Sequence, residues 1–86
     1  MIFKGTVHGV GFRWTAESIA HSLGLTGWVQ NCPDGTVEVI CEGKKGDIDI
    51  FLQRIKNEMG HYIHSSNVYW HEPKGEFDTF SIKFFY

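Results

Sequence analysis

Two helix patterns constrain the fold of this chain more than any other feature of its sequence. The first is an apolar stripe with helical spacing, formed by Phe12, Ala16, Ile19, Ala20 and Leu23. The second stripe is formed by Ile48, Phe51, Leu52, Ile55 and Met59. Gly24 and Gly60 are the predicted stop signals, and Asp47 is the predicted N-cap of the second helix. Each predicted helix therefore has one apolar face that must be covered by other parts of the chain.

Strand-like segments surround both helix patterns. They are predicted at residues 2–7, 25–31 and 36–42, within 63–71, and at the alternating residues Phe80, Ile82 and Phe84. Residues 72–78, EPKGEFD, are predicted as a loop. The resulting order is strand–helix–strand–strand–helix–strand with one extra strand near the end. This order predicts an α+β, ferredoxin-like split βαβ sandwich, with two helices on one face of an antiparallel sheet.

The segment CPDG, residues 32–35, fixes the register of the hairpin between the second and third strands. A three-residue loop with Gly35 as the bulge residue pairs Val29 with Val39 and keeps the apolar side chains on one face. A two-residue loop would mix the faces. In the bulged register Cys41 lies far along the hairpin from Cys32. A disulfide needs Cα atoms within about 7 Å, so two free thiols are expected.

Composition limits the class of protein. The 86 residues, 42% of them hydrophobic, suit one small domain over residues 1–86. A net charge of −2 argues against a nucleic-acid partner, which usually meets a basic face. No apolar run approaches the roughly 18 residues of a membrane span, and no signal-peptide pattern occurs. A cytoplasmic location is expected. The aromatic tail FFY, residues 84–86, is expected to form strand-edge packing or a weak contact surface.

The stretch HGVGFR, residues 8–13, follows the first strand and opens the first helix. Unpaired backbone N–H groups of such a glycine-rich loop, with a helix dipole behind them, favour an anion. Arg13 adds a fixed charge and a planar fork of donors that fits two phosphate oxygens. In the predicted topology the first two strands are parallel. Asn31, at the end of the second strand, therefore lies at the same end of the sheet as this loop. Its amide could hold a water molecule without ionising.

The same residues also have a purely structural interpretation. A short glycine loop before a helix is often only a tight connection, with Arg13 on the surface and Asn31 at an ordinary strand end. Spacing alone leaves the anion site and the tight connection both open.

Longer stretches of sequence add a resemblance to a known family. The segments GTVHGVGFR (5–13), LGLTGWVQN (23–31) and PDGTVEV (33–39), followed by Glu42 and Gly43, strongly resemble the acylphosphatase family. The match covers nearly the first half of the chain, while the second half matches only in its plan. The resemblance implies a ferredoxin-like fold. It also implies hydrolysis of the carboxyl–phosphate anhydride of acyl phosphates to a carboxylate and inorganic phosphate, without metal or cofactor.

The resemblance also implies the site residues. The catalytic arginine falls on Arg13 and the catalytic asparagine on Asn31. The phosphate-binding loop falls on His8, Gly9, Val10, Gly11, Phe12 and Arg13, mainly through backbone N–H groups. The family commonly has glutamine where this chain has His8, and many members have arginine where it has Gln30. Imidazole titrates near neutrality, so His8 could alter the pH dependence.

The implied chemistry agrees with the residue types present. A carboxylate leaving group needs no strong general acid, and no Ser, Cys or Asp is clearly placed as a nucleophile beside a base. Direct attack of water on phosphorus is therefore expected, with the loop and Arg13 stabilising the equatorial oxygens and Asn31 positioning the water. A monomer is expected, with inorganic phosphate or sulfate able to occupy the loop.

The sequence argues against three alternative interpretations. RNA-binding domains share this element order, but the third strand, TVEVICEG, is acidic and aliphatic rather than basic and aromatic. Similar domains begin larger carbamoyl-phosphate-handling maturation proteins, which continue into cysteine-rich segments; a stand-alone enzyme is expected here. His61, His64 and His71 lack the usual spacing of zinc ligands, so no metal site is expected.

Overall fold

The computed structural model describes residues 1–84, and the predicted elements all lie within that range. They are β1 (Ile2–Gly5), α1 (Phe12–Ser22), β2 (Thr26–Asn31), β3 (Val37–Glu42), α2 (Lys45–Met59), β4 (Ile63–Asn67) and β5 (Phe80–Lys83). A single 3₁₀ turn, Gly60–Tyr62, joins α2 to β4. The strand and helix types agree with the sequence predictions, and the differences lie at the element ends.

The five strands form one sheet in the order β4-β1-β3-β2-β5. β3 is antiparallel to both β1 and β2, so β1 and β2 are parallel with β3 between them, as the split βαβ topology predicts. The α+β ferredoxin-like class is thus confirmed, with one refinement. β5 pairs with β2 in parallel, so the sheet is mixed rather than wholly antiparallel. Residues 68–79 make this possible, because they take the chain from one sheet edge to the other.

The predicted hairpin register is confirmed. Val29 pairs with Val39, and Cys41 pairs with Gly27 near the far end of the hairpin. The Cys32 and Cys41 thiols are both free, as expected from that separation. Burial raises the pKa of the Cys41 thiol to about 12.

Asp34 organises the turn itself. Its carboxylate Oδ1 accepts hydrogen bonds from the Thr36 hydroxyl at 2.6 Å and from the Thr36 backbone N–H at 3.0 Å. Those hydrogen bonds, the side-chain one first, lower the pKa of Asp34. The Cys32 backbone N–H donates to the Thr36 carbonyl oxygen at 2.8 Å and closes the loop. The turn is therefore fixed by its own polar groups immediately after Asn31.

The core lies between the sheet and the two helices. Both predicted stripes face it: the buried helix residues are Phe12, Ala16, Ile19, Ala20, Ile48, Phe51, Ile55 and Met59. The rings of Phe3 on β1 and Phe12 on α1 lie 5.1 Å apart, which joins the strand before the glycine loop to the helix after it. Aromatic pairs at this separation stabilise a core beyond the area they bury.

The predicted N-cap of the second helix is wrong. α2 begins at Lys45 with Lys44 as its N-cap, and the Ile48 N–H donates to the Lys44 carbonyl oxygen at 3.0 Å. Asp47 instead lies in the first turn. A carboxylate there still complements the positive end of the helix dipole, which is why the sequence signal marked the right region but not the right residue.

The opposite face of the sheet is partly covered by residues 68–77. They border a groove of about 760 Å³ whose aromatic lining consists of Trp28, Tyr69, Trp70 and Phe77. The groove includes neither residues 8–13 nor Asn31. In the described part of the chain, no helix is long and apolar enough to cross a membrane. Of the aromatic tail, Phe85 and Tyr86 lie outside the described residues, and Phe84 is exposed.

Candidate active site

In the glycine loop between β1 and α1, apolar residues that face the core alternate with glycines at the surface. Val7 is buried and Val10 packs against the core, whereas Gly9 and Gly11 lie at the surface between these anchors. Gly9 and Gly11 have φ angles of 74° and 79°, a left-handed conformation that costs other residues more than glycine. Two apolar anchors and two such glycines thus turn the backbone tightly without exposing the core.

This loop ends as the N-terminus of α1. Gly11 is the N-cap residue, and its carbonyl oxygen accepts the Thr15 N–H at 3.0 Å, which is the first turn of the helix. Among the hydrogen bonds found within residues 1–84, none uses the backbone N–H groups of residues 8–11 as donors. The first N–H groups of a helix also have no partner within the helix. Loop and helix end together provide a group of donors suited to an anion.

His8 connects the loop to the β2–β3 turn. Its Nε2 lies 2.8 Å from the Thr36 carbonyl oxygen. A carbonyl oxygen only accepts, so Nε2 carries the hydrogen in this bond. The same oxygen accepts the Cys32 N–H, and Cys32 directly follows Asn31. The loop is therefore attached one residue away from the predicted catalytic asparagine.

Asn31 is the last residue of β2 and pairs with Val37. Strand alternation places it on the same face as the fully buried Val29, which is the face that the helices cover. Its Oδ1 atom is buried and has no hydrogen-bond partner in the described residues. A buried acceptor without a partner is rare and costs stability. The Asn31 Oδ1 is therefore a candidate acceptor for a hydrogen bond from a ligand or a water molecule.

Gln30 occupies the opposite face. It is only 7% exposed, and its Oε1 also lacks a hydrogen-bond partner among residues 1–84. Because neighbouring strand residues point to opposite faces, Gln30 does not share the face of Asn31 and the loop. The departure from the family pattern at Gln30 is thus separated from the loop by the sheet itself.

Arg13 lies in the first turn of α1 and is half-buried. Its guanidinium carbon lies over the ring of Phe84, 5.4 Å from the ring centroid. No ion pair and no hydrogen bond of the guanidinium is found among residues 1–84. Phe84 follows Lys83, the β5 residue that pairs with Gln30. Arg13 is thereby placed near the carboxyl end of β2, where Asn31 lies.

The structure brings the sequence-predicted residues to one end of the sheet, where β1 and β2 finish. The loop, Arg13 and Asn31 assemble there, whereas His61, His64 and His71 take part in no group that could hold a metal within the described residues. Sequence reasoning missed Thr36 and Phe84, which contact His8 and Arg13. Thr36 was not identifiable because its backbone, not its side chain, makes the contact. Phe84 depends on the β2–β5 pairing, which no local pattern specifies.

The fold and this edge define an α+β domain of the ferredoxin-like class with an anion-binding loop. The family model described as Acylphosphatase matches residues 1–82. A curated relative named Acylphosphatase from Methanospirillum hungatei JF-1 is 44% identical over 74 residues, 86% of this chain and 81% of the relative. Another from Acaryochloris marina is 38% identical over 94% of this chain and 87% of its own. The chain therefore belongs to the acylphosphatase family, and its activity is the hydrolysis of acyl phosphates.

Solved structures agree with this assignment. The crystal structure of acylphosphatase from Bacillus subtilis is similar with a TM-score of 0.87 at 31% identity, covering 95% of this chain and 92% of that one. T. kodakarensis HypF matches with a TM-score of 0.82 at 30% identity, covering 95% of this chain but 11% of its own length. The same domain thus also occurs inside a much larger protein.

Proposed function

We propose that this enzyme hydrolyses acyl phosphates by direct attack of water on phosphorus at the edge formed by residues 8–13 and Asn31. The observation that carries the proposal is the buried, unpartnered Oδ1 of Asn31 on the same face as the glycine loop. An acceptor in that position suits a water molecule. A loop of unpaired donors suits the phosphoryl group that the water attacks.

Phosphate binding falls to the loop and Arg13. The N–H groups of His8, Gly9, Val10, Gly11, Phe12 and Arg13 meet the equatorial oxygens, aided by the positive end of the α1 dipole. The Arg13 guanidinium adds a charge-assisted pair of hydrogen bonds. Charge on these oxygens changes during phosphoryl transfer, and donors fixed in advance stabilise it without having to reorganise. Arg13 is therefore proposed as a catalytic residue as well as a binding one.

The water falls to Asn31. Its Oδ1 accepts a hydrogen bond from the water and directs the oxygen lone pair towards phosphorus. A bond forms between water oxygen and phosphorus while the bond from phosphorus to the acyl oxygen breaks. The carboxylate leaves as a stable anion, so no general acid is needed at that end, and the proton released by the attacking water passes to an oxygen of the phosphoryl group. The Asn31 amide does not titrate, so its part in this step does not depend on pH.

We also propose a single domain over residues 1–86 that acts as a monomer in the cytoplasm, without metal or cofactor. The free thiols suit a reducing compartment. The substrate is a small acyl phosphate, and inorganic phosphate or sulfate would occupy the same loop. Sedimentation tests the monomer, and turnover in excess chelator tests the independence from metals. Acetyl phosphate, carbamoyl phosphate and an aromatic acyl phosphate, compared side by side, would identify the preferred acyl group.

Isotope labelling tests the direct attack. Turnover in ¹⁸O-enriched water should place the label in inorganic phosphate, because water joins phosphorus. Label in the released carboxylate would mean attack at the carbonyl carbon and would contradict the proposal. Intact-protein mass spectrometry of quenched turnover mixtures should detect no phosphoryl adduct. A phosphorylated protein at kinetically competent levels would indicate a covalent route in place of direct attack. The uncatalysed reaction in the same water is the control.

A further inference from the structure

The aromatic ring beside Arg13 has a position that core packing does not explain. Phe84 is 72% exposed, whereas Phe3, Phe12, Phe51 and Phe80 are fully buried. Its contact is the Arg13 guanidinium, 5.4 Å from the ring centroid and within the range of a cation–π interaction. We propose that Phe84 is a positioning residue for Arg13, a role that rests on the phosphate-binding role proposed above for that arginine.

The alternation of β5 accounts for the direction of the ring. Phe80 is buried and Ile82 packs against the core, while Lys83 lies on the other face over the Trp28 ring at 4.5 Å. Phe84 continues the first set, so it is directed to the face that α1 covers. α1 packs against both β2 and β5. The ring thus meets the first turn of α1 at the end of the sheet where the glycine loop lies.

A ring is a better support for this arginine than a carboxylate would be. A carboxylate would engage the in-plane N–H donors and cancel the positive charge that the phosphoryl oxygens need. An aromatic ring instead contacts the flat face of the guanidinium and leaves the in-plane donors free. Long arginine side chains lose rotamer freedom when a ligand fixes them. A side chain already restricted by Phe84 loses less of it when phosphate binds.

The register adds a second consequence. Lys83 pairs with Gln30, so Phe84 lies beside the strand end occupied by Asn31. One side chain at the end of β5 therefore sets the guanidinium of α1 relative to the carboxyl end of β2. These are the two elements that hold the residues proposed for phosphate and for water. Phe84 is expected to affect kcat/KM and phosphate inhibition while it touches neither substrate nor water.

Fluorinated phenylalanines at position 84 test the proposal. Fluorine withdraws electron density from the ring face and leaves its shape almost unchanged, so only the cation–π interaction weakens. Acyl phosphate kcat/KM should fall stepwise with fluorine number, reaching a total loss of about two- to fivefold. The inhibition constant for inorganic phosphate should rise in parallel. The kcat/KM of Phe84→Leu should equal that of the most fluorinated variant. Phe84→Trp should keep the wild-type kcat/KM, because tryptophan also offers an aromatic face to the guanidinium.

A matched control is available in the same chain. Lys45 lies over the exposed Trp70 ring at the same 5.4 Å, on the groove side of the sheet. Trp70→Leu removes a comparable interaction and should leave kcat/KM unchanged. A flat fluorine series, with Arg13→Ala still abolishing turnover, would overturn the role of Phe84 and leave the proposed function standing. Full turnover in Arg13→Ala would instead refute the proposed function itself.

Discussion

The imidazole of His8 donates a hydrogen bond from Nε2 to the Thr36 carbonyl oxygen at 2.8 Å. The same oxygen accepts the Cys32 N–H, so the glycine loop and the residue after Asn31 share one acceptor. The loop donors proposed for phosphate and the amide proposed for water are thereby held in a fixed relation. The bond uses a hydrogen that both the Nε2 tautomer and the imidazolium carry, so it does not require His8 to act as a base.

His8→Gln should therefore preserve function, and His8→Ala should not. A glutamine amide also donates a hydrogen bond, whereas alanine leaves the Thr36 oxygen with one partner fewer. A lost hydrogen bond of this kind costs roughly 1 kcal/mol, which lowers Tm by about 4–8 °C in a domain this size. Thermal unfolding and kcat/KM of the two variants check this. Equal losses in both variants would show that imidazole chemistry, rather than the hydrogen bond, is what matters.

Arg13→Lys should lower kcat by roughly 100–1,000-fold, the usual cost of one lost transition-state donor. Lysine keeps the positive charge but has no planar fork of donors. It also cannot present a flat face to the Phe84 ring. Steady-state turnover of an aromatic acyl phosphate, benzoyl phosphate, measures the effect, with circular dichroism confirming the fold. Turnover within tenfold of wild type would exclude the proposed role of the guanidinium.

Asn31→Ala should abolish turnover while leaving phosphate binding mostly intact. The prediction follows from a division of labour in which Asn31 holds the water and the loop with Arg13 holds the anion. Turnover and inhibition by inorganic phosphate are measured on the same preparation. Residual activity in the variant makes the inhibition measurable, and isothermal titration replaces it if activity is absent. Loss of phosphate binding together with activity would mean that Asn31 supports the loop instead.

The sequence predicted most of this arrangement because its signals are local. The helix stripes ending at Leu23 and Met59 need only helical spacing, and the Gly35 bulge sets the hairpin register through the faces of its strands. Arg13 and Asn31 were located by motif and topology together. The parallel pairing of β5 was beyond local patterns, since it depends on how residues 68–79 cross the sheet. The proposed role of Phe84 could not be predicted from local patterns either, because Phe84 meets Arg13 only once β5 lies beside β2.

Cys41 should make stability sensitive to alkaline pH. Its pKa is raised by burial from the usual 9.0 to about 12, so between these values the unfolded chain loses a proton that the folded chain keeps. The contribution of Cys41 to the free energy of unfolding is at its full value below pH 9. It then decreases as pH rises, by at most about 1.4 kcal/mol per pH unit. Urea unfolding of wild type and Cys41→Val, both with reductant, isolates this from other titrations. Parallel pH profiles of the two proteins would contradict it.

Inorganic phosphate should raise the Tm of the wild-type protein. The donors of the loop converge only when β1 and α1 are docked through Phe3 and Phe12, so the anion binds the folded chain and not the unfolded one. Linkage gives about 2.7 kcal/mol at a hundred times the dissociation constant, and each kcal/mol is worth roughly 4–8 °C here. Thermal unfolding over a series of phosphate concentrations measures the shift.

Arg13→Ala separates this specific binding from general salt effects. Phosphate and sulfate also stabilise proteins by being excluded from their surfaces, and that contribution is the same in both proteins. The variant lacks the guanidinium that pairs with the anion, so its shift should be much smaller than that of wild type at matched ionic strength. The Trp70→Leu variant, altered on the groove side of the sheet, should shift like wild type. If Arg13→Ala shifted as much as wild type, the glycine loop would not be holding phosphate with help from Arg13.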